Sequence, residues 1–283
     1  MYAYKEGVHK ISPTLEQALN FLSYLYQCGL SYSAICTARS ALSSFLEISD
    51  CPNFGSNRFT KLFIKGIFEL RPSLPKYQSI WNVDFVLKFL EELSPVTDIS
   101  FKELTFKLVT LIALLSGQRC QTLTLLKLSE MITSDDKYVF HVQSLLKQSR
   151  SGKHLHPIEF ISYPVNDKLC VVTTLKEYIA RSKPFRTDDQ LFLSYKKPHK
   201  KVSKETIARW IRTTLNRAGI NNNKFKPHST RSASTSAAAA TGASINCIMK
   251  AAGWSQESTF RKFYNKEVNV NFGEQILKNY QRN

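Results

Sequence analysis

The segment Arg71-Pro72-Ser73-Leu74-Pro75 places two prolines between two groups of predicted helices. Proline lacks an amide donor and biases the residue before it towards extended backbone, so a regular helix does not continue through this segment. We interpret it as a linker and predict a small domain of residues 1–73 and a larger domain of residues 74–283. A chain of 283 residues is long enough for two such domains to bury a core each.

Apolar residues recur at helical spacing in three segments of the small domain. Ser12-Pro13 is typical of a helix start with Ser12 as the N-cap, and Gly29 is a stop signal. The predicted helices cover residues 12–29, 32–46 and 59–70. The sequence therefore predicts an all-helical unit.

The larger domain is predicted to be mainly helical with one small sheet. The predicted helices cover residues 83–93, 101–115, 167–181, 203–218, 228–241, 244–251 and 272–280. The predicted strands cover residues 131–133, 138–146 and 157–161, with a further strand-like run at residues 191–193. The fold class is thus predicted as mainly α with a small antiparallel β-sheet, or α+β.

Positive charge is concentrated towards the C-terminal end. The chain has 39 Lys and Arg against 22 Asp and Glu, a net charge of +17, and residues 196–283 alone hold 17 of the basic residues against four Glu. A polyanion is the natural partner. Nucleic acid is favoured over a membrane because the charge is spread through several segments that contain aromatic residues. A basic surface that only increases solubility is the open alternative.

Other features exclude several classes of protein. The longest strongly apolar run, residues 108–115, is too short for the ~20 residues that span a bilayer, and the N-terminus lacks the apolar core of a signal peptide. The six cysteines form no C-x-x-C pair, which predicts reduced thiols in an intracellular protein and argues against a zinc site. We expect them to be small buried side chains.

Several short fragments place charged or reactive groups at the ends of apolar elements. Each has an ordinary explanation when it stands alone: a helix cap, a solvent-facing lysine or an aromatic residue of the core. In chain order the candidates are Arg119, Lys147, His228, Arg231, Gly253-Trp254-Ser255 and Phe263-Tyr264. His228 and Arg231 are three residues apart, which places them on one face of the predicted helix.

The ordered set resembles the tyrosine recombinase (phage integrase) family over essentially the whole chain. The small domain resembles the family's core-binding, SAM-like DNA-binding domain, and the larger one its catalytic domain. Within the family, residues 63–74, 253–255 and 259–264 are most similar to recombinases of eukaryotic DIRS- and Ngaro-type retrotransposons, with the Crypton type close behind.

This resemblance implies a site-specific DNA recombinase or integrase of a mobile element, which acts through a covalent 3′-phosphotyrosine without metal, ATP or another cofactor. Tyr264 is the implied nucleophile. Arg119 and Arg231 are the implied clamp on the scissile phosphate, since a rigid guanidinium binds two phosphate oxygens and remains charged. Fixed cations are needed because the phosphate gains negative charge when it is attacked.

The resemblance also assigns the proton transfers. Lys147, on a hairpin that closes over the site, is the implied general acid, and His228 is implied to assist the proton transfer of Tyr264. Trp254 stands where many members carry a second histidine. Its indole N–H donates to a phosphate oxygen but cannot transfer a proton.

Two positions depart from the family pattern. Thr122 stands three residues after Arg119, where many members have Glu or Asp. Tyr264 lies ten residues after Trp254, one more than in many bacterial and phage members, so that Phe263 occupies the usual spacing. Tyr280 is the weaker candidate for the nucleophile.

The implied partner is double-stranded DNA, bound by a homotetramer on paired sites in the nucleus, and no membrane is expected. A type IB topoisomerase-like enzyme and a catalytically inactive, domesticated DNA-binding protein are the alternatives. The basic run of residues 196–201 fits either a nuclear import signal or a phosphate-contacting loop. His154 and His156 fit a strand-surface pair better than a metal site, because no third ligand is suggested.

Overall fold

The structure is a computed structural model that describes residues 11–72, 77–144 and 156–268, together with Gly7 and His9. The chain divides into two compact units, residues 1–76 and residues 77–283. The domain boundary predicted after residue 73 falls on residues 73–76, which lie outside the described residues.

The small unit has the three helices that the sequence predicts. They are α1 (Leu15–Gln27), α2 (Tyr32–Phe45) and α3 (Arg58–Leu70). The predicted N-cap of α1 at Ser12 is wrong, since the cap is Thr14. The Thr14 side chain accepts from the Gln17 amide while the Gln17 side chain accepts from the Thr14 amide, and this capping box outcompetes the earlier Ser-Pro pair. Leu22, Ile35 and Ile67 bring the three helices to one apolar core.

The larger unit is mainly helical with a small sheet, which confirms the predicted α+β class. Its helices are α4 (Val83–Glu92), α5 (Phe101–Ser116), α6 (Cys120–Thr124), α7 (Val171–Ser182), α8 (Lys204–Arg217), α9 (Ser229–Ala240) and α10 (Ile245–Ala252). After α10 come a short helical turn, Glu257–Thr259, and a π-helical turn, Phe260–Tyr264. Short α6 has no counterpart in the sequence prediction.

The antiparallel sheet contains the three predicted strands in the order β2 (Met131–Thr133), β3 (Lys137–Phe140) and β4 (Ile158–Ile161). Met131 lies opposite Phe140, and Lys137 lies opposite Ile161. The prediction that β3 extends beyond Phe140 is wrong for residues 141–144. Residues 191–193 form no strand, and Leu193 makes only an isolated bridge with Lys201. The predicted helix at residues 272–280 lies outside the described residues.

A second, parallel pairing was not predicted. Strand β1 (Ser79–Ile80) pairs with β5 (Glu267–Val268), with Ser79 opposite Glu267. It joins the start of the larger unit to the segment that follows Tyr264.

Helix α5 lies at the centre of the larger unit. Nearly every side chain from Leu104 to Leu114 is buried, and the helix ends at Gly117, whose φ of +58° lies in the left-handed region that glycine accepts most easily. The buried Lys107 ammonium donates to the Leu93 carbonyl (2.6 Å) and the Ser94 hydroxyl (2.7 Å). Burial lowers the pKa of Lys107 to about 8.

None of the six cysteines is paired in a disulfide. The expectation that all of them are buried is wrong: Cys51 and Cys170 are buried, whereas Cys28 and Cys247 are exposed. In the part of the chain that the structure describes, no helix is long and apolar enough to cross a membrane.

Candidate active site

Helix α9 organises the site because it is built from small residues. Its Ser, Thr and Ala side chains allow α5, α10 and the Phe260–Tyr264 turn to pack closely against it. His228 is the N-cap residue and is exposed, and Arg231 lies one turn further and is buried.

Arg231 is held by the C-terminal ends of two helices. Its side chain is 1% exposed. One terminal nitrogen donates to the Gly117 carbonyl (2.8 Å), just after α5, and the other donates to the carbonyl of Ala252 (2.6 Å), the last residue of α10. Both carbonyls lie at the negative ends of helix dipoles, which stabilise a cation. No carboxylate of the described residues forms an ion pair with Arg231.

A second arginine shares this site. Burial and, to a smaller extent, the neighbouring charge of Arg119 lower the pKa of Arg231 to about 9, although Tyr264 opposes the change. The guanidinium therefore stays charged at neutral pH. Arg119 is the N-cap residue of α6 and lies three residues after Ser116, the last residue of α5. Two like charges held close together favour an anion between them.

Tyr264 meets three of the predicted site residues. Its hydroxyl lies 3.1 Å from Nε2 of His228. Its ring centroid lies 4.5 Å from that of Trp254, and the Arg231 guanidinium carbon lies 5.5 Å from the Tyr264 ring. The structure therefore brings together His228, Arg231, Trp254 and Tyr264. Arg119 lies close enough to lower the pKa of Arg231.

The π-helical turn determines which aromatic residue reaches the site. In this turn the Asn265 amide donates to the Phe260 carbonyl (2.8 Å), five residues earlier. A π turn closes with a hydrogen bond over five residues, so it contains one residue more than an α-helical turn. It thereby accommodates the extra residue between Trp254 and Tyr264, while Phe263 is 54% exposed. The weaker candidate Tyr280 lies outside the described residues.

Trp254 provides a buried donor beside the arginine. Gly253 ends α10 with a φ of +67°, and the Trp254 ring that follows lies 4.3 Å from the Arg231 guanidinium carbon. The indole Nε1 of Trp254 and Nε of Arg231 are both buried, and neither finds an acceptor within the described structure. Unpaired buried donors are costly, so an anionic oxygen at this place would be stabilised.

Thr122 is buried in α6 at 1% exposure, and its hydroxyl supplies no negative charge where many family members carry an acid. Arg231 is held instead by carbonyls of residues that no sequence pattern singles out. Their carbonyls leave no composition signal, although the left-handed Gly117 was visible as a helix end. Gln118, 3% exposed, donates to the Ala251 carbonyl (2.6 Å) and fixes the end of α10 next to the site.

Two further candidate positions, besides Tyr280, are not placed. Lys147 and His154 both lie outside the described residues. Where the chain is described, no group of three or more His, Cys, Asp and Glu side chains is arranged to hold a metal ion.

Solved structures of DNA recombinases share this fold. The XerH site-specific recombinase bound to palindromic difH substrate, in a post-cleavage complex, is 17% identical, with 95% of this chain and 71% of that chain covered at a TM-score of 0.62. The Tn1549 transposon integrase in complex with transposon right end DNA is 13% identical, with 96% and 85% covered at 0.62. The lambda integrase tetramer bound to a Holliday junction is 17% identical, with 95% and 71% covered at 0.52.

The fold and the site thus define a tyrosine recombinase catalytic domain. The model of the Phage integrase family matches residues 86–269, well over half of the chain. The chain belongs to the phage integrase (tyrosine recombinase) family, a family of DNA strand-exchange enzymes. No curated protein matches it.

Proposed function

We propose that this protein is a site-specific recombinase that cleaves a DNA strand with Tyr264, holds the strand as a 3′-phosphotyrosine and rejoins it to another strand. The observation that supports this most directly is the 3.1 Å contact between the Tyr264 hydroxyl and Nε2 of His228, beside the buried Arg231. A nucleophile within reach of a base, next to an uncompensated cation, is the arrangement that attack on a phosphodiester needs.

In the proposed cleavage step, the Tyr264 oxygen forms a bond to phosphorus and the bond from phosphorus to the 5′-oxygen breaks. The phenol proton passes to His228, and the departing 5′-oxygen takes a proton from Lys147, the general acid that the family resemblance assigns. In the rejoining step a 5′-hydroxyl of another strand attacks the same phosphorus and Tyr264 leaves. One phosphodiester is exchanged for another, so the reaction as proposed consumes no ATP. The arginines supply the positive charge, so the proposed reaction uses no metal ion.

The arginines stabilise the negative charge that develops on phosphorus. Arg231 is fixed before DNA arrives, because two of its nitrogens are already engaged by Gly117 and Ala252. Its unpaired Nε and the unpaired Trp254 Nε1 are the donors that the phosphate oxygens would meet. Preorganised donors of this kind lower the barrier because they need not reorganise during the reaction.

The finer features of the function are also proposals. A role in a eukaryotic mobile element of the DIRS, Ngaro or Crypton type rests on the sequence resemblance. A homotetramer on paired sites is supported by the tetrameric lambda integrase that shares the fold. A nuclear location is supported by the exposed lysines of residues 196–201. The core-binding role of the small unit rests on the resemblance and on its helical fold.

A suicide substrate tests the proposal. Genomic fragments that bind the full chain are selected and sequenced, and duplexes of the selected site are nicked at each position in turn. We expect wild-type protein to become covalently attached to one of them in the presence of EDTA, and Tyr264→Phe to give no adduct. Retardation without an adduct would support the inactive DNA-binding alternative. Relaxation of supercoiled DNA without exchange between two duplexes would support the topoisomerase alternative.

A further inference from the structure

The backbone carbonyl of Tyr264 is held by two serine hydroxyls of α9. Ser232 Oγ donates to it at 2.9 Å and Ser236 Oγ donates to it at 2.7 Å. Ser236 Oγ also accepts from the amide of Lys266 at 3.0 Å. Both serines are buried, at 4% and 2% exposure. Water therefore does not replace these bonds when a hydroxyl is removed.

The two serines lie on the same helix face as His228. Residues 228, 232 and 236 follow one another at intervals of four, which places them in a row along α9. His228 meets the phenol end of Tyr264, and the serines meet its backbone. One face of one helix therefore contacts Tyr264 at both ends.

This double contact bears on the register of the π turn. A π turn is rare and less regular than an α-helical turn, so it persists where other contacts hold it. A slip of one residue towards α-helical geometry would withdraw Tyr264 from His228 and turn the exposed Phe263 towards the site. The serine hydroxyls bind the carbonyl that such a slip would move.

We propose that Ser232 and Ser236 are positioning residues that hold Tyr264 in its reactive register through the Tyr264 carbonyl. The proposal rests on the proposed function, in which Tyr264 is the nucleophile. Without the hydroxyls the Tyr264 carbonyl and the Lys266 amide lose buried partners, the turn relaxes, and the phenol moves away from His228. Small misplacements of a reacting group slow a reaction strongly.

Single-turnover cleavage of the nicked substrate by the full chain measures the effect. We expect Ser232→Ala and Ser236→Ala each to lower the rate of adduct formation about 10-fold, and the double variant about 100-fold. DNA affinity should stay within about two-fold of wild type. Each single variant keeps one hydrogen bond to the Tyr264 carbonyl, so we expect it to fold. Thermal melting monitored by circular dichroism checks this.

Ser234→Ala is the matched control. Ser234 lies on the same helix, and its hydroxyl donates to the Arg231 carbonyl (3.3 Å). We expect its cleavage rate to equal that of the wild type. An equal loss of cleavage rate in Ser234→Ala and Ser236→Ala would overturn the proposal, because the effect would then not depend on the bond to the Tyr264 carbonyl.

A double-mutant cycle with His228→Ala separates positioning from general support of the fold. If the serines act by presenting the phenol to His228, the double serine substitution should slow the His228→Ala protein less than about 10-fold. A full 100-fold loss on that background would show an independent, structural effect and would contradict the proposal. If wild-type protein forms no adduct, the proposed function itself fails. If wild type and the double serine variant form it equally fast, only the positioning role fails.

Discussion

The phenol of Tyr264 and the imidazole of His228 meet at 3.1 Å although 36 residues separate them. The contact requires an α9 whose N-cap is His228 and a π turn that ends at Tyr264. Because each partner depends on a separate local structure, substitutions in either structure should affect the same chemical step.

Tyr264→Phe should abolish covalent attachment to DNA while it leaves binding intact, because the ring keeps its contact with Trp254 and loses only the oxygen proposed as the nucleophile. Denaturing gels of the nicked substrate measure the adduct. Adding Phe263→Tyr to this variant should not restore it, since residue 263 is turned outwards and 54% exposed. Tyr280→Phe serves as the control that retains activity; an adduct that is lost in Tyr280→Phe and kept in Tyr264→Phe would reverse the assignment.

Arg231→Lys should slow cleavage by about 10²–10³-fold, since loss of a single preorganised donor at a developing charge has an effect of this size. A lysine keeps the charge but cannot span the Gly117 and Ala252 carbonyls with a planar fork. Arg261→Lys is the control, because Arg261 is exposed and pairs with Glu257. Single-turnover rates at saturating protein compare the two, and equal rates would show that the buried fork is dispensable.

Gly117→Ala should impair both stability and chemistry. A side chain at a φ of +58° costs about 1–2 kcal/mol, and relief of this backbone strain should shift the Gly117 carbonyl that holds Arg231. The new Cβ itself would lie at ordinary contact distance, 3.4 Å, from Thr235 Cγ2. Gly219→Ala is a matched control with a φ of +80° and nothing within 4 Å. Denaturant unfolding should show a loss in both variants, whereas cleavage should fall in Gly117→Ala alone. A cleavage rate unaffected in Gly117→Ala would argue against this role of the carbonyl.

Lys107 should make stability depend on pH. Its pKa is about 8 in the folded protein and 10.5 is the ordinary value. Below pH 8 both states bind the proton, and the burial penalty is fully present. Between pH 8 and 10.5 the unfolded state binds more protons, so the free energy of unfolding should rise with pH, by about 3 kcal/mol over the whole range. Lys107→Met should lack this component in chemical denaturation measured across the range, and parallel curves for the two proteins would refute the assignment.

The lysines of residues 196–201 should contribute to DNA affinity through charge alone. Replacing Lys196, Lys197, Lys200 and Lys201 by Gln should weaken binding to selected and unrelated duplexes alike. It should also reduce the slope of log affinity against log salt by about 0.9 for each DNA phosphate that the protein no longer neutralises. Lys137→Gln is the control, because that lysine pairs with Glu159. If the variant keeps the salt slope of the wild type and its fluorescent fusion is excluded from the nucleus, these lysines act as an import signal instead.

The sequence predicts the elements whose signals are local. The helix stop at Gly117 and the three strands are found at the predicted places, although β3 ends at Phe140, because a buried face repeats every 3.6 residues in a helix or every two in a strand. Four of the six predicted site residues meet in space.

The features that the sequence does not predict depend on partners far along the chain. The pairing of Ser79 with Glu267, the carbonyls that hold Arg231 and the serines that hold Tyr264 are invisible to a local pattern. The hydrogen bond of the π turn spans five residues instead of the four of an α-helical turn, and the spacing of side chains in the sequence alone does not reveal this difference. Thr14 displaces Ser12 as a cap because its reciprocal partner Gln17 is three residues away.

The parallel pairing of β1 with β5 has a consequence for the order in which the protein becomes active. Ser79 lies near the start of the larger unit, and Glu267 follows the proposed nucleophile by three residues. During synthesis the first strand must wait for almost two hundred further residues before its partner emerges from the ribosome. Contacts of such long sequence separation are slow to form. The segment that carries the proposed nucleophile is thus tied to the start of the larger unit only once Glu267 has been synthesised, and a chain truncated before that residue lacks the partner of β1.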